Sequence, residues 1–138
     1  MAGVATILGV DPGTKRIGLA IADLETRFAH ALEVVPASSK AIARILEIAE
    51  ERDAAKIVVG RPVSLSGADG PAVEKQQRFV TALRAATEIP VEEYDERMTT
   101  VVAESAMRAA GTSAKGRNDM RDAVAAQVLL QGFLDSTR

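Results

Sequence analysis

The sequence predicts an α/β fold: a mixed five-stranded sheet flanked by helices, with elements in the order βββαβαβα. Three observations carry this. The first 35 residues hold three apolar, strand-length runs separated by turn residues, which is the pattern of an antiparallel meander. Beyond them, short β-branched runs alternate with segments that are apolar at helical spacing, as in parallel crossover units. With 138 residues and 47% apolar content, the chain suits one domain, 1–138, with a sizeable core.

Residues 5–10 and 17–22 read as buried strands joined by a glycine-containing turn, and 28–35 as the third strand. A helix is expected over 38–52, capped by Ser38 or Ser39, with Ile42, Ile45, Leu46 and Ala49 on one face. "KIVVG" (56–60) is a short β-branched run ended by Gly60 and Pro62, hence a buried parallel strand. The loop "RPVSLSGADG" leads to Pro71, a residue that suits a first helical position. The helix after it carries Val73, Phe79, Val80 and Leu83. Strand character returns in "IPVEEYDE" (89–96). Thr99 or Thr100 can cap a helix containing Val102, Ala106 and Met107 and ended by Gly111, and a last helix is expected over about 119–134.

With no cysteine, disulfides and thiolate metal sites are excluded. No apolar run approaches the roughly 20 residues that cross a bilayer, and the N-terminus lacks the order of a secretory signal. A cytoplasmic protein with no membrane partner is the expectation. A net charge of −2 does not advertise a nucleic-acid binder. Cations nevertheless cluster at Lys15–Arg16 and again from Arg108 through Lys115 and Arg117 to Arg121.

Acids stand where an acid is costly. Asp11 ends a strand that is apolar on both faces, so its carboxylate needs a cation or hydrogen-bond donors. It could equally accept hydrogen bonds from its own turn. At about 100° per residue, Gln127, Gln131 and Asp135 fall on a polar face of the last helix. Asp122 lies opposite, heading a stripe of Ala125, Ala126, Leu129 and Phe133. Its plainer role is a first-turn acid favoured by the helix dipole. In "YDERMTT", Asp95 and Glu96 point to opposite strand faces, so only one of them can join a given site. Spacing does not choose between them. Acids at the carboxyl ends of strands, with one histidine (His30, expected at the surface) and no thiol, suit a hard cation. Mg²⁺ or Mn²⁺, working with carboxylates and a phosphate-bearing substrate, is the natural choice.

Four segments, "ILGVDPGTKRIGLAIAD", "IVVGRPVSLSGADGP", "YDERMTTVVAE" and "DAVAAQVLLQGFLD", resemble in order, over nearly the whole chain, the YqgF family, also called RuvX. Each is loose alone; four in order are specific. The resemblance implies an RNase H-like fold related to the RuvC Holliday-junction resolvases. It also implies divalent-metal nuclease chemistry and a role in maturing the 5′ end of 16S ribosomal RNA. Carried over by position, the family's catalytic and metal-holding acids fall on Asp11, Glu96 and Asp122, with Asp95 as the substitute for the second. Two ions are expected there. The chain departs from many relatives in Arg61, which adds a cation to "GRP", and in a thinner basic segment before the last helix, where Asn118 and Asp119 dilute Lys115 and Arg117. These departures bear on affinity for RNA or DNA and leave the acids untouched.

Gly13 and Gly18 permit a tight turn and close backbone approach. Thr14, Lys15 and Arg16 at the tip, together with Arg61, Arg97, Lys115 and Arg117, are the expected phosphate contacts. Aromatics make up only 3% of the chain, so the expected partner is a structured nucleic acid, precursor rRNA or branched DNA, read by shape. A monomer or a homodimer fits equally. The competing readings are a DNA junction resolvase, a catalytically weak RNA-binding assembly factor, and an ATP-binding relative of the actin and sugar-kinase superfamily. The last is suggested by Asp11, Gly13, Thr14 and Gly18, although nucleotide in those proteins lies between two domains.

Overall fold

A computed structural model describes residues 5–61, 71–95 and 120–137. Its elements are β1 (Thr6–Pro12), β2 (Arg16–Asp23), β3 (Ala29–Pro36), α1 (Ala41–Glu51), β4 (Ala54–Arg61), α2 (Pro71–Ala86), β5 (Val91–Asp95) and α3 (Arg121–Ser136). The expected helix around Val102–Met107 lies outside the described residues.

The strands form one sheet in the order β3-β2-β1-β4-β5. β1 pairs antiparallel with β2, and β2 with β3, while β1–β4 and β4–β5 are parallel. The meander followed by crossovers is therefore the observed topology. β1 lies at the centre of the sheet, which explains why its residues are apolar on both sides.

Alternation along the strands divides the core in two. Leu8 and Val10 of β1, Ile17 and Leu19 of β2, and Ile57 and Val59 of β4 pack with Ile45, Ile48, Val80 and Leu83 beneath α1 and α2. Ile7, Ala20, Ala22 and Val58 face the other way and pack with Ala126, Leu130, Phe133 and Leu134 of α3. Each such Leu, Ile or Phe contributes about 1.5–3 kcal/mol by leaving water. The second face is lined by small residues, so α3 lies close to the strands. A Cβ on Gly9 would come within 2.9 Å of the Leu130 side chain, and one on Gly18 within 1.8 Å of the Asp122 carbonyl oxygen. Tyr94 of β5 joins this face, donating its hydroxyl to the Gly132 carbonyl (3.2 Å) and meeting the Phe133 ring edge-on.

Two local expectations are corrected. α1 starts at Ala41, after Lys40, with no side-chain cap. Ser38 is used one step earlier: its hydroxyl accepts the Lys40 N–H (3.2 Å) and its carbonyl accepts the Ala41 N–H (3.1 Å), a local turn that competes with capping. In α3, Ala125 is exposed, whereas Gln131, expected on the polar face, is only 8% exposed. Gln131 accepts the Ala29 N–H through Oε1 (2.9 Å) and donates to the Arg27 carbonyl (3.1 Å). Gln127 donates to the Ala29 carbonyl (2.9 Å). The two amides satisfy backbone groups at the start of the edge strand β3, groups that would otherwise need water.

Candidate active site

The site begins with a turn. β1 ends at Asp11-Pro12 and β2 begins at Arg16, and the Gly13 N–H closes the hairpin on the Arg16 carbonyl at 3.0 Å. A Cβ on Gly13 would stand 2.5 Å from that carbonyl oxygen, so the tight closure requires glycine. The Lys15 carbonyl accepts the Ala37 N–H (2.9 Å), tying the tip to the end of β3. Thr14 and Lys15 are left exposed at the tip.

Strand register then brings two acids to one face. Asp11 is paired with Gly18 across the β1–β2 ladder, and paired residues point to the same side of a sheet. Gly18 is the residue against which the first turn of α3 rests, with the Asp122 backbone directly on it. Gly9, two residues before Asp11, is likewise covered by Leu130. Asp11 therefore points to the α3 side, where α3 begins at Asp122. Asp11 is half-buried and the Asp122 side chain is 31% exposed. One close approach at Gly18 joins residues more than a hundred positions apart.

Arg16, the first residue of β2, lies on the same side. Its Nε donates to Asp122 Oδ2 at 2.7 Å. The expected phosphate contact is thus paired with an expected metal ligand. The signal for this was present in the sequence only as parity, since Arg16 and Gly18 are two apart on one strand.

Asp95 falls elsewhere. Tyr94 faces α3, so its neighbours Glu93 and Asp95 face α2, and Glu93 accepts hydrogen bonds from Gln76 and Gln77 of that helix. Arg61 pairs in register with Asp95 and shares its side of the sheet. Glu96, Arg97, Lys115 and Arg117 lie outside the described residues. Among the described residues no three acidic, histidine or cysteine side chains gather to hold a metal. The two carboxylates placed on one face, those of Asp11 and Asp122, are oxygen donors of the kind a hard divalent cation takes. His30 is exposed on β3, as expected.

A feature without a sequence signature lies behind the turn. A cavity of about 340 Å³ on the α1/α2 side is lined by Pro12, Gly13, Thr14, Ile17, Lys75 and Phe79, among others.

Comparison with known proteins decides the family. The profile described as "RuvX: Holliday junction resolvase" matches residues 5–136. The chain belongs to the RuvX family. A relative from Chloroflexus aggregans is 44% identical over 135 residues, covering 96% of this chain and 95% of its own, and is named "putative pre-16S rRNA nuclease". One of the same name from Anaeromyxobacter dehalogenans is 43% identical over 130 residues, covering 93% and 95%. Among solved structures, T. thermophilus RuvC in complex with a Holliday junction substrate superposes with a TM-score of 0.60 at 19% identity, over 96% of this chain and 94% of that one. Fowlpox virus resolvase with Holliday junction DNA gives 0.55 at 12%, over 95% and 97%. The fold is thus that of the RuvC-like RNase H group. As a RuvX member the chain is a nuclease, a hydrolase of phosphodiester bonds. No helix among the described residues is long and apolar enough to cross a membrane.

Proposed function

We propose that this RuvX chain is a divalent-metal-dependent nuclease that trims precursor 16S rRNA at its 5′ end. The observation that carries the chemistry is that Asp11 and Asp122 lie on one face of the sheet, each next to Gly18. Precursor rRNA stands ahead of branched DNA as substrate on the name carried by relatives at 40–44% identity. Cleavage of a Holliday junction is the second reading, favoured by the family's description and by the junction complexes among its fold neighbours.

In this reading Asp11, Asp122 and Glu96 hold Mg²⁺ or Mn²⁺. Asp95 is set aside because it faces α2. Bound there, the metal would supply an activated water for attack on the phosphodiester and charge to stabilise the departing oxygen. The chain's own residues do the positioning. Asp11 is held by a central strand and a turn that only glycine can close, and Asp122 by a helix start pressed onto β2. Both carboxylates are thereby preorganised, which is where catalysis by placement gains most. Thr14 and Lys15 stand at the exposed tip to meet substrate phosphates, and Arg97, Lys115 and Arg117 are assigned the same task.

The test is cleavage of a precursor 16S rRNA fragment and of a four-way DNA junction, each with Mg²⁺ or Mn²⁺, by wild type and Asp11→Asn. Metal-dependent cutting of the RNA, lost in Asp11→Asn, is expected. Equal rates for the two proteins would remove Asp11 from the mechanism, and cutting of the junction alone would move the chain to the second reading.

A further inference from the structure

The face that carries Asp11 and Asp122 also carries a cation, and that cation is bonded to Asp122. Arg16 Nε is bonded to Asp122 Oδ2 at 2.7 Å. The Arg16 side chain is 60% exposed against 31% for Asp122. The guanidinium therefore sits on the solvent side of the pair, on a long side chain springing from the turn that Gly13 closes. It can swing away without disturbing either packed core.

We propose that Arg16 is a placeholder for the divalent cation at Asp122. It occupies the carboxylate in the metal-free protein, is displaced when the ion binds, and is then available to a phosphate of the substrate. This rests on the reading of Asp122 as a metal ligand. A hard cation takes a carboxylate oxygen at about 2.0–2.1 Å, well inside the present N–O contact. A guanidinium left beside a doubly charged ion would be repelled by it. In the ladder Asp11 pairs with Gly18, the next pair outward is Pro12 with Ile17, and Arg16 follows immediately on the Asp11 side of the sheet. The cation bonded to Asp122 thus springs from the same side of the sheet as Asp11.

The alternative geometry keeps Arg16 on Oδ2 while the ion takes the other oxygen, as hydrogen bonds outside a metal's own ligands commonly orient them. The two differ in sign. A displaced competitor weakens metal binding, whereas an orienting partner strengthens it. Displacement also couples the ligands: if metal frees Arg16 for phosphate, phosphate held by Arg16 must favour metal by the same factor.

The experiment is calorimetric titration of Mn²⁺ into the whole chain for wild type, Arg16→Ala, Arg16→Lys and Asp122→Asn, with a metal-free melting curve for each. From the strength of exposed ion pairs, Arg16→Ala should lower the Kd for Mn²⁺ about two- to fivefold. Arg16→Lys should stay near wild type, and the metal-free melting temperature should hardly move. Unchanged or weaker Mn²⁺ binding in Arg16→Ala overturns the proposal, even if Asp122→Asn abolishes binding and so upholds the metal site. If Asp122→Asn binds Mn²⁺ like wild type, or wild type binds none, the metal reading fails and the placeholder falls with it.

Discussion

At the residue scale the site depends on a hydrogen atom, the one that stands where Gly18 would otherwise have a Cβ. Any side chain there meets the Asp122 carbonyl at 1.8 Å, and backbone cannot move aside as a flexible side chain can. Gly18→Ala should therefore push the start of α3 off β2, separating Asp122 from Asp11. Overpacking of this kind costs about 1–3 kcal/mol and occasionally more. The expected outcome is a lowered denaturation midpoint with nuclease activity lost. Gly9→Ala, which meets only the Leu130 side chain at 2.9 Å, should be the milder of the two. A Gly18→Ala protein as stable and active as wild type would show that the two acids do not depend on this contact. Asp11 and Gly18 were legible in the sequence because a polar residue ending a doubly apolar strand and a glycine in the next strand are local signals. The choice between Asp95 and Glu96 was not, because alternation gives two parities and nothing nearby selects one. It took Tyr94, anchored to Gly132 and Phe133 of α3, to assign Asp95 to the other side. The Arg16–Asp122 pair joins residues 106 positions apart and has no local signature.

At the scale of elements, α3 shows what hydrophobic periodicity captures and what it misses. Its existence, its approximate limits and most of its buried stripe (Ala126, Leu129 and Phe133) followed from the apolar repeat, but the burial of Gln131 did not, because the repeat counts glutamine as polar and therefore as outward-facing. Here Gln131 is buried, serving as both acceptor and donor to the start of β3, and Gln127 adds a third bond. The serine cap expected for α1 failed for a different reason: Ser38 sits where a cap would suit, but it spends its hydroxyl on a turn ahead of the helix. Replacing Gln131 by Leu keeps the bulk and leaves the Ala29 N–H and Arg27 carbonyl without these partners. Stranding buried polar groups costs about 1–3 kcal/mol. Gln131→Leu should accordingly unfold at lower denaturant, and amide exchange at Ala29 should accelerate more than at Leu8 in the centre of the sheet. If Gln131→Leu is as stable as wild type, the glutamine clamp is not what secures β3 to α3.

At the scale of the whole molecule, the two faces of the sheet have different tasks. The α1/α2 face holds the larger apolar cluster, and the α3 face trades bulk for closeness, using Gly9, Gly18, Ala20 and Ala22 to bring a helix start down to strand level. With Asp11 and Asp122 proposed as metal ligands on that face, stability and metal binding should be linked. A ligand that binds only the folded chain stabilises it by about 2.7 kcal/mol at a hundred times its Kd. For a chain of this length each kcal/mol moves the melting temperature by about 3 °C, so saturating Mn²⁺ should raise it by roughly 8 °C. A chelator should reverse the rise. Asp11→Asn removes a ligand while leaving the strand, the turn and Gly18 in place, so it should fold normally and lose most of the metal-induced shift. This separates the site from the scaffold, because a general effect of divalent ions on the protein surface would raise both melting curves alike. Equal shifts in wild type and Asp11→Asn would mean that the two acids meet for structural reasons and that the metal binds elsewhere.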